Sequence, residues 1–543
     1  MKRLISCAEA SALDAETKRA AGLDSLQLME KASLRLWDAL CGEMRSRAPL
    51  RMPPHVSSMS SHAPLDMRKN FGREFPEDCR IVALCGKGDN GGDAMAMLRH
   101  ARFEGGNALT AVSLDQVEGG AALAQKRSLE ALGIPVLSWN TERVKCITAL
   151  ENAQLIIDGI LGTGLKGAPR GAALEMIEAC NAASVRPESP LVASIDLPSG
   201  AGDGAEADRV TVRADFTLSL EPLKAALFTP AAASIRGRLI PVSGVFPNDG
   251  RDRSAVARLI ELGDISYSAG SAAPDGYKTS RGRVAVFAGS PGCTGAAKLC
   301  TRAALAAGAG YVALFADDEL AGTFSAGLEE IMVRPRGSMP FDPEAWDLIL
   351  VGPGWGKGPD RKKLLEELLD SGLPAILDAD AVPPFGELLR SGYSPKGPVV
   401  ITPHPGEFAA FSGISARAAL ADPESALESS GFPAVLAVIF KSHMTWLRIP
   451  GEGLFVWEGL EPGLAVAGSG DVLAGLAAGL VATAFAAHAN NAGQALLTAV
   501  AVHGFAGKRL RRTKGWFPAG DLIPEAARIL GIPESLDPGE GQD

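Results

Sequence analysis

The sequence predicts a two-domain α/β protein, each half a parallel sheet covered by helices on both faces. Three observations carry that expectation. At 543 residues the chain is long enough for more than one core. Short, apolar, partly β-branched segments alternate with helix-like ones through both halves. Glycine, 62 of the 543 residues, recurs in the loops that follow those segments. In sheets of this kind ligands bind beyond the carboxyl ends of the strands, so those loops are the places to read for function.

In the first half Arg80–Cys85, Ala108–Leu114, Leu155–Asp158, Leu191–Ile195 and Phe216–Leu220 read as strands. Helices are expected over Gly92–Phe103 and Ala121–Leu132. In the second half the strand role falls to Val284–Ala288, Tyr311–Phe315, Leu348–Val351, Ala375–Leu377, Val399–Ile401 and Val435–Phe440. The polar run Asn248–Arg253 has linker chemistry and divides the chain into residues 1–250 and 251–543. Tyr267–Asp275 is a softer Ser/Ala/Gly stretch. Residues 45–78 lack clean periodicity and read as an insertion loop.

Composition excludes several classes. Lys and Arg total 53 against 63 Asp and Glu, a net charge of -10, and no long basic run is present, so nucleic acid is not expected as a partner. Apolar residues at 46% and charged residues at 21% suit a core-forming chain. The eight cysteines form no CxxC pair, so neither a zinc site nor a disulfide framework is indicated, and a reducing compartment is expected. The apolar stretch before Cys7, Leu4-Ile5, is only two residues, too few for a cleavable leader. The longest apolar run, Val472–Ala487, is shorter than a bilayer needs and reads as a buried helix. A cytoplasmic protein without membrane contact is expected.

The first-half loops carry chemistry-bearing residues. Gly86-Lys87-Gly88-Asp89-Asn90-Gly91-Gly92-Asp93 places a GxGxxG between a strand and a helix, and Asp115 ends the next strand, as a dinucleotide fold would have it. Asp89 and Asp93 argue against a bare pyrophosphate there, since like charges repel. Asn90 and the carboxylates suit a cation or polar hydroxyls better. The plain structural alternative is a turn capped by Asp93. After Leu155–Asp158, the loop Gly159–Ala168 can offer successive backbone N–H groups to an anion. After Leu191–Ile195, Asp196-Leu197-Pro198-Ser199-Gly200 sets a carboxylate at a strand end before a rigid turn, a position for acid/base work or for an Asx turn.

GKGDNGGD, IDGILGTGLKG, DLPSG and Pro222–Leu227 together resemble the NAD(P)H-hydrate epimerase (YjeF N-terminal) family over roughly residues 9–247. The resemblance implies a Rossmann-like three-layer αβα sandwich. It implies a nicotinamide-hydrate site lined by Asp89, Asn90, Gly91, Gly92 and Asp93, and by Gly162, Thr163, Gly164, Leu165, Lys166, Gly167 and Ala168. It implies K+ held by Asn90, Asp158 and Ser199, with Asp196 as the acid/base residue. Asp89 stands where the family usually has Asn.

The second half repeats the pattern. Gly289–Ala297 opens a helix after a strand, and GPGWG (352–356), DADA (378–381) and TPHPGE (402–407) each follow one. No GxxxxGK[ST] occurs, which excludes a P-loop enzyme. Ala467-Gly468-Ser469-Gly470-Asp471 precedes an apolar helix. Small residues there leave bare amides for a phosphoryl oxyanion, with Asp471 beside them to take a hydroxyl proton. The alternative is that Asp471 is the helix N-cap.

As a set these segments, with KSHMT (441–445), resemble the ADP/ATP-dependent NAD(P)H-hydrate dehydratase, of ribokinase-like αβα fold, over roughly residues 275–510. The resemblance implies hydrate contacts at Ala296, Gly354, His404 and Asp471, the last catalytic. It implies adenine-nucleotide contacts at Lys441, Ser442, His443, Met444, Thr445 and Gly470, and Mg2+ with the ADP or ATP. The expected protein is a fused repair enzyme. One half would interconvert the epimers of NADHX and NADPHX, and the other would dehydrate the (S) form at the expense of ADP or ATP. A homo-oligomer is expected. Two readings stay open from the residues alone: a small-molecule kinase, and a first half that binds without turnover.

Overall fold

The structure is a computed structural model that describes all residues except 46–77, 115–118, 187–188, 205–208, 248–254, 266–275, 338, 429–430, 488–490 and 532–543. The 45–78 stretch apart from its two ends, Asp115, the Asn248–Arg253 linker and Tyr267–Asp275 thus lie outside the described residues. The chain divides into two compact units, Arg3–Val256 and Ala257–Asp543, the latter including Met1–Lys2.

The first unit opens with β1 (Lys2–Ile5), α1 (Cys7–Ala21) and α2 (Ser25–Arg45). Helix α1 starts at a Ser6–Glu9 capping box and stops at left-handed Gly22. Then follow β2 (Ile81–Cys85), α3 (Asp89–Phe103), β3 (Leu109–Ser113), α4 (Gly120–Ala131), β4 (Val136–Ser138), α5 (Arg143–Asn152), β5 (Leu155–Gly159), α6 (Gly171–Ala183), β6 (Leu191–Ile195), β7 (Phe216–Leu220), β8 (Leu223–Lys224), α7 (Pro230–Ala233) and β9 (Arg238–Val242). The main sheet runs β4-β3-β2-β5-β6-β7-β9, every pair parallel. The edge pair β1–β8 is also parallel.

Strand β2 explains the two-faced cover. Ile81 and Ala83 join a core with Leu36, Trp37, Met95 and Leu129, from α2, α3 and α4. Val82 and Leu84 join a second core with Leu150 and Met176, from α5 and α6. Both faces of the strand are buried, so its residues read as an unbroken apolar run. The strand order reverses between β2 and β5, where the loops after these strands open a crevice.

The second unit contains β10 (Ala257–Leu259), β11 (Arg283–Phe287), α8 (Thr294–Ala306), β12 (Tyr311–Ala316), α9 (Asp318–Ser325), β13 (Met332–Pro335), β14 (Leu348–Val351), α10 (Pro359–Leu369), β15 (Ala375–Leu377), α11 (Val382–Arg390), β16 (Val399–Ile401), α12 (Pro405–Ser412), α13 (Ala416–Ala421), α14 (Pro423–Leu427), β17 (Leu436–Phe440), β18 (Thr445–Ile449), β19 (Gly453–Trp457), α15 (Ser469–Ala486), α16 (Ala492–Lys514) and α17 (Leu522–Gly531). From β13 to β17 the order is β13-β12-β11-β14-β15-β16-β17, all parallel, reversing between β11 and β14. Here the sheet departs from the all-parallel expectation. Strands β17, β18 and β19 form an antiparallel meander, and β10 then adds in parallel to β19.

Helix α15 packs against α8 and α16 over one face of this sheet. Its glycines let the backbones close in. A Cβ on Gly475 would lie 2.2 Å from the Cys300 carbonyl oxygen, and one on Gly479 would lie 2.3 Å from that of Ala304. Among the described residues α15 is the one helix long and apolar enough to cross a membrane, and 72% of it is buried inside the protein.

Candidate active sites

In the first unit the crevice between β2 and β5 is built by glycines that tolerate contact. A Cβ on Gly86 would stand 1.9 Å from the Ile160 carbonyl oxygen, and one on Gly91 2.1 Å from that of Gly86. Helix α3 starts at Asp89 with Gly88 as its N-cap, so Asp93 sits in the second turn and caps nothing. Asp93 is buried, and its Oδ1 has no hydrogen-bond partner. Burial and then the charges of Asp89, Asp196 and Asp14 push its carboxyl well above the ordinary range.

Asn90, Asp158 and Ser199 come together. Asn90 Nδ2 donates to the Leu161 carbonyl at 2.9 Å, and Ser199 Oγ accepts from Leu161 N–H at 2.8 Å. Asp158 is fully buried and accepts from Ser194 Oγ (2.7 Å), Ser199 N–H (2.8 Å), Ser199 Oγ (2.5 Å) and Ile160 N–H (3.3 Å). Burial raises its pKa while these bonds work in the opposite direction. Amide, carboxylate and hydroxyl oxygens suit a hard cation. The four bonds occupy the carboxylate, so Asp158 would take up an ion by giving up its longest contact, to Ile160. Gly162 lies against Asn90, where a Cβ would meet Cγ at 3.2 Å, and Thr163 Oγ1 accepts from Ser11 of α1 at 3.3 Å. Gly164, Lys166, Gly167 and Ala168 lie exposed along the same loop, with Leu165 half-buried.

Asp196 follows β6 with a left-handed backbone (φ 63°), rare for a non-glycine residue. Its Oδ1 accepts from Lys224 Nζ at 2.5 Å, Leu220 N–H at 3.1 Å and Ser219 Oγ at 3.3 Å. Lys224 is 2% exposed and also donates to the Leu220 carbonyl at 2.8 Å. The sequence reading gave Lys224 no role. The signal was a lysine within an otherwise apolar run after a strand.

In the second unit the loops after β11 and β14 meet. Gly289 N–H donates to the Pro353 carbonyl at 2.9 Å, and Ser290 Oγ to that of Gly354 at 2.9 Å. Gly354 is left-handed (φ 55°) and abuts Ala296, whose Cβ would be 2.9 Å from a Cβ placed there. The two residues expected at the hydrate are therefore neighbours. His404 is the N-cap of α12, its Nδ1 accepting from Gly406 N–H (3.0 Å) and Glu407 N–H (3.3 Å). Its ring is largely exposed.

Helix α15 begins at Ser469 with left-handed Gly468 as N-cap, so Asp471 lies inside the first turn and is not the cap. Around it lies a charged cluster. Lys441 Nζ donates to Asp378 Oδ1 at 2.7 Å, and Thr402 Oγ1 donates to the same atom at 2.5 Å. Lys441 Nζ also lies 3.2 Å from where a Gly470 Cβ would be. Burial works against the ammonium, but Asp378, Glu407 and Asp471 outweigh it and raise its pKa. Burial, then Asp378, pushes Asp471 up to about 6, with Lys441 opposing. Asp378, given no role from sequence beyond its motif, is the buried anchor of this group.

Residues 441–445 form the β17–β18 hairpin turn and its exit. Ser442 Oγ donates to the Met444 carbonyl at 2.5 Å, His443 is exposed, Met444 is fully buried and Thr445 opens β18. Of this set, Lys441, Ser442, His443 and Thr445 have accessible side chains, whereas Met444 could meet a nucleotide only through its backbone.

The architecture defines the class: two doubly wound α/β units, each with polar loops converging at a switch point, one of them leading into a helix whose first turn carries a carboxylate. Comparisons with known proteins agree. The family described as NAD(P)H-hydrate dehydratase matches residues 284–528, and the family described as YjeF-related protein N-terminus matches residues 25–226. The bifunctional NAD(P)H-hydrate repair enzyme of Thermanaerovibrio acidaminovorans is 31% identical over 508 residues, 89% of this chain and 96% of the relative. That of Moorella thermoacetica is 31% identical over 492 residues, 83% of this chain and 87% of the relative. A solved ADP/ATP-dependent NAD(P)H-hydrate dehydratase from Bacillus subtilis is 20% identical, with a TM-score of 0.45, covering 50% of this chain and 97% of its own. The chain belongs to the bifunctional NAD(P)H-hydrate repair enzyme family.

Proposed function

We propose that this chain repairs hydrated nicotinamide nucleotides in two steps, epimerising NADHX and NADPHX within residues 1–250 and dehydrating the (S) form within residues 251–543. The observation that carries the reading is Asp471 in the first turn of α15, beside Gly468–Gly470 and the Lys441–Asp378 pair, in a chain that also holds the Asp196–Lys224 site.

The chemistry explains why a phosphoryl-transfer site would perform a dehydration. Hydroxide is a poor leaving group, water having a pKa of about 15.7. Phosphate leaves far more readily, the second pKa of its monoester being about 6. Asp471 takes the proton of the ring hydroxyl, and that oxygen attacks the terminal phosphoryl of ADP or ATP. The bare amides of the α15 N-terminus accommodate the migrating charge. The transfer releases AMP or ADP; the carbon–oxygen bond then breaks with phosphate as leaving group, and loss of a proton from the adjacent ring carbon to solvent closes the double bond. Lys441 and Gly470, with Ser442, His443, Thr445 and the Met444 backbone, hold the nucleotide. Ala296, Gly354 and His404 hold the hydrate. Magnesium neutralises phosphate charge when bound. No cluster of three His, Cys, Asp or Glu exists among the described residues, so magnesium would be held chiefly by the nucleotide's phosphates.

In the first unit Asp196 is the acid/base residue of the epimerisation, and Lys224 fixes its orientation. The 89–93 and 162–168 segments receive the rest of the hydrate. Asn90, Asp158 and Ser199 would hold potassium, which would supply a fixed positive charge.

The test incubates purified protein with mixed-epimer NADH hydrate plus ADP or ATP and follows the dihydronicotinamide absorbance. Full recovery of both epimers is expected. Half recovery would remove the epimerase assignment. A stable phosphorylated product would point instead to a small-molecule kinase.

A further inference from the structure

His503 stands in the middle of α16, in a run of small and apolar residues, 9% exposed. Its Nε2 lies 3.0 Å from Ser469 Oγ and 3.1 Å from the Ser469 carbonyl oxygen. A carbonyl oxygen can only accept, so Nε2 carries the ring proton and the hydroxyl shares it. Burial, together with the charge of Lys441, pushes the ring down to about 4, which keeps it neutral. Ser469 is itself buried and is the first residue of α15. The turn it begins presents Gly470 and Asp471. On α16 the next residue is Gly504. A Cβ there would fall 2.2 Å from Trp457 Nε1, so the helix can seat closely on β19 only with glycine.

We propose that His503 is a positioning residue for the dehydratase reaction, fixing the first turn of α15 through Ser469 so that the bare amides and Asp471 keep one geometry. The inference rests on the function proposed above for that turn. A helix end with a left-handed glycine cap and no side-chain cap would otherwise be free to fray. Displacements of about 1 Å at a reacting group can cost about 10²-fold in rate.

The test compares His503→Ala, His503→Gln and His503→Asn in the full chain. Glutamine can place its amide nitrogen near the Nε2 position, whereas asparagine reaches only as far as Nδ1. His503→Ala and His503→Asn are expected to lower dehydratase kcat by about 10–100-fold, with nucleotide KM changed less than about threefold. His503→Gln is expected to recover to within a few fold of the parent. The second unit's thermal melting and the far-UV spectrum report that each variant is folded. If the alanine variant fails to fold, the glutamine-against-asparagine ratio decides. Equal rates for those two, or a parent rate in His503→Ala, would overturn the assignment. Asp471→Asn separates the two readings: an active variant sinks the proposed chemistry, whereas an inactive one beside a fully active His503→Ala removes only the role of His503.

Discussion

Replacing Asp471 by asparagine should abolish dehydration while leaving the second unit as stable as before, or more so. The carboxyl is raised from 3.8 to about 6, chiefly by burial and by Asp378. That difference corresponds to about 3 kcal/mol held against the charged form. The sign follows from the raised value. Stability from the neutral carboxyl is fully present below the ordinary carboxylate pKa and is lost as pH rises through about 6. At pH 7 the group is mostly ionised, ready as a base, and the fold bears the cost. Asparagine removes both the base and the cost. The rate should fall by about 10²–10⁴, the usual contribution of a positioned general base. The second unit's melting temperature at pH 7 should hold or rise. The parent's kcat/KM should climb about tenfold per pH unit below pH 6 and level off above it. Lys441→Met should move that inflection upward, because the ammonium lowers Asp471. The assay is dihydronicotinamide recovery from (S)-NADH hydrate with ADP or ATP across pH 5–9, beside thermal melting. A variant within twofold of the parent rate would refute the reasoning, as would an acid limb near pH 4.

In the first unit, Lys224→Met strands the Asp196 carboxylate in a half-closed site. Breaking a buried pair of this kind costs about 3–5 kcal/mol, so the first unit should melt earlier and epimerisation should fail, while dehydration of pure (S) substrate persists; unchanged epimer exchange would rule the pair out. Gly91→Ala drives a Cβ to 2.1 Å from the Gly86 carbonyl oxygen and should remove epimerase activity with a loss of stability, read by melting and epimer exchange. Replacing potassium by lithium should slow epimer exchange and leave dehydration by the second unit unaffected; equal exchange rates in both salts would exclude Asn90, Asp158 and Ser199 as an ion site.

The central strands of both sheets were legible because each is buried on two faces, as Ile81–Cys85 is, and needs no periodicity to be noticed. The edges were not. Val136–Ser138 is three half-buried residues, and the β18–β19 meander follows a turn whose chemistry read as a ligand loop. The helix starts at Asp89 and Ser469 lie ahead of the apolar runs that mark them, because glycine and polar residues form the first turns. Strand-end carboxylates and glycine loops were visible one by one. Their partners were not, because Lys224 reaches Asp196 across 28 positions, Lys441 reaches Asp378 across 63, and His503 meets Ser469 across 34. Only the strand order and helix packing bring such pairs together.

The glycine pair at 475 and 479 acts as a gauge as well as a packing device. It holds the axis of α15 at backbone distance from α8, and each of those helices carries one lip of the second site at its amino end: Ala296 on one, Gly470 and Asp471 on the other. The spacing of these two helix ends is therefore written about one to two turns away from them, in the absence of two methyl groups. Bulk added along that seam would widen the mouth without touching any residue that meets a ligand.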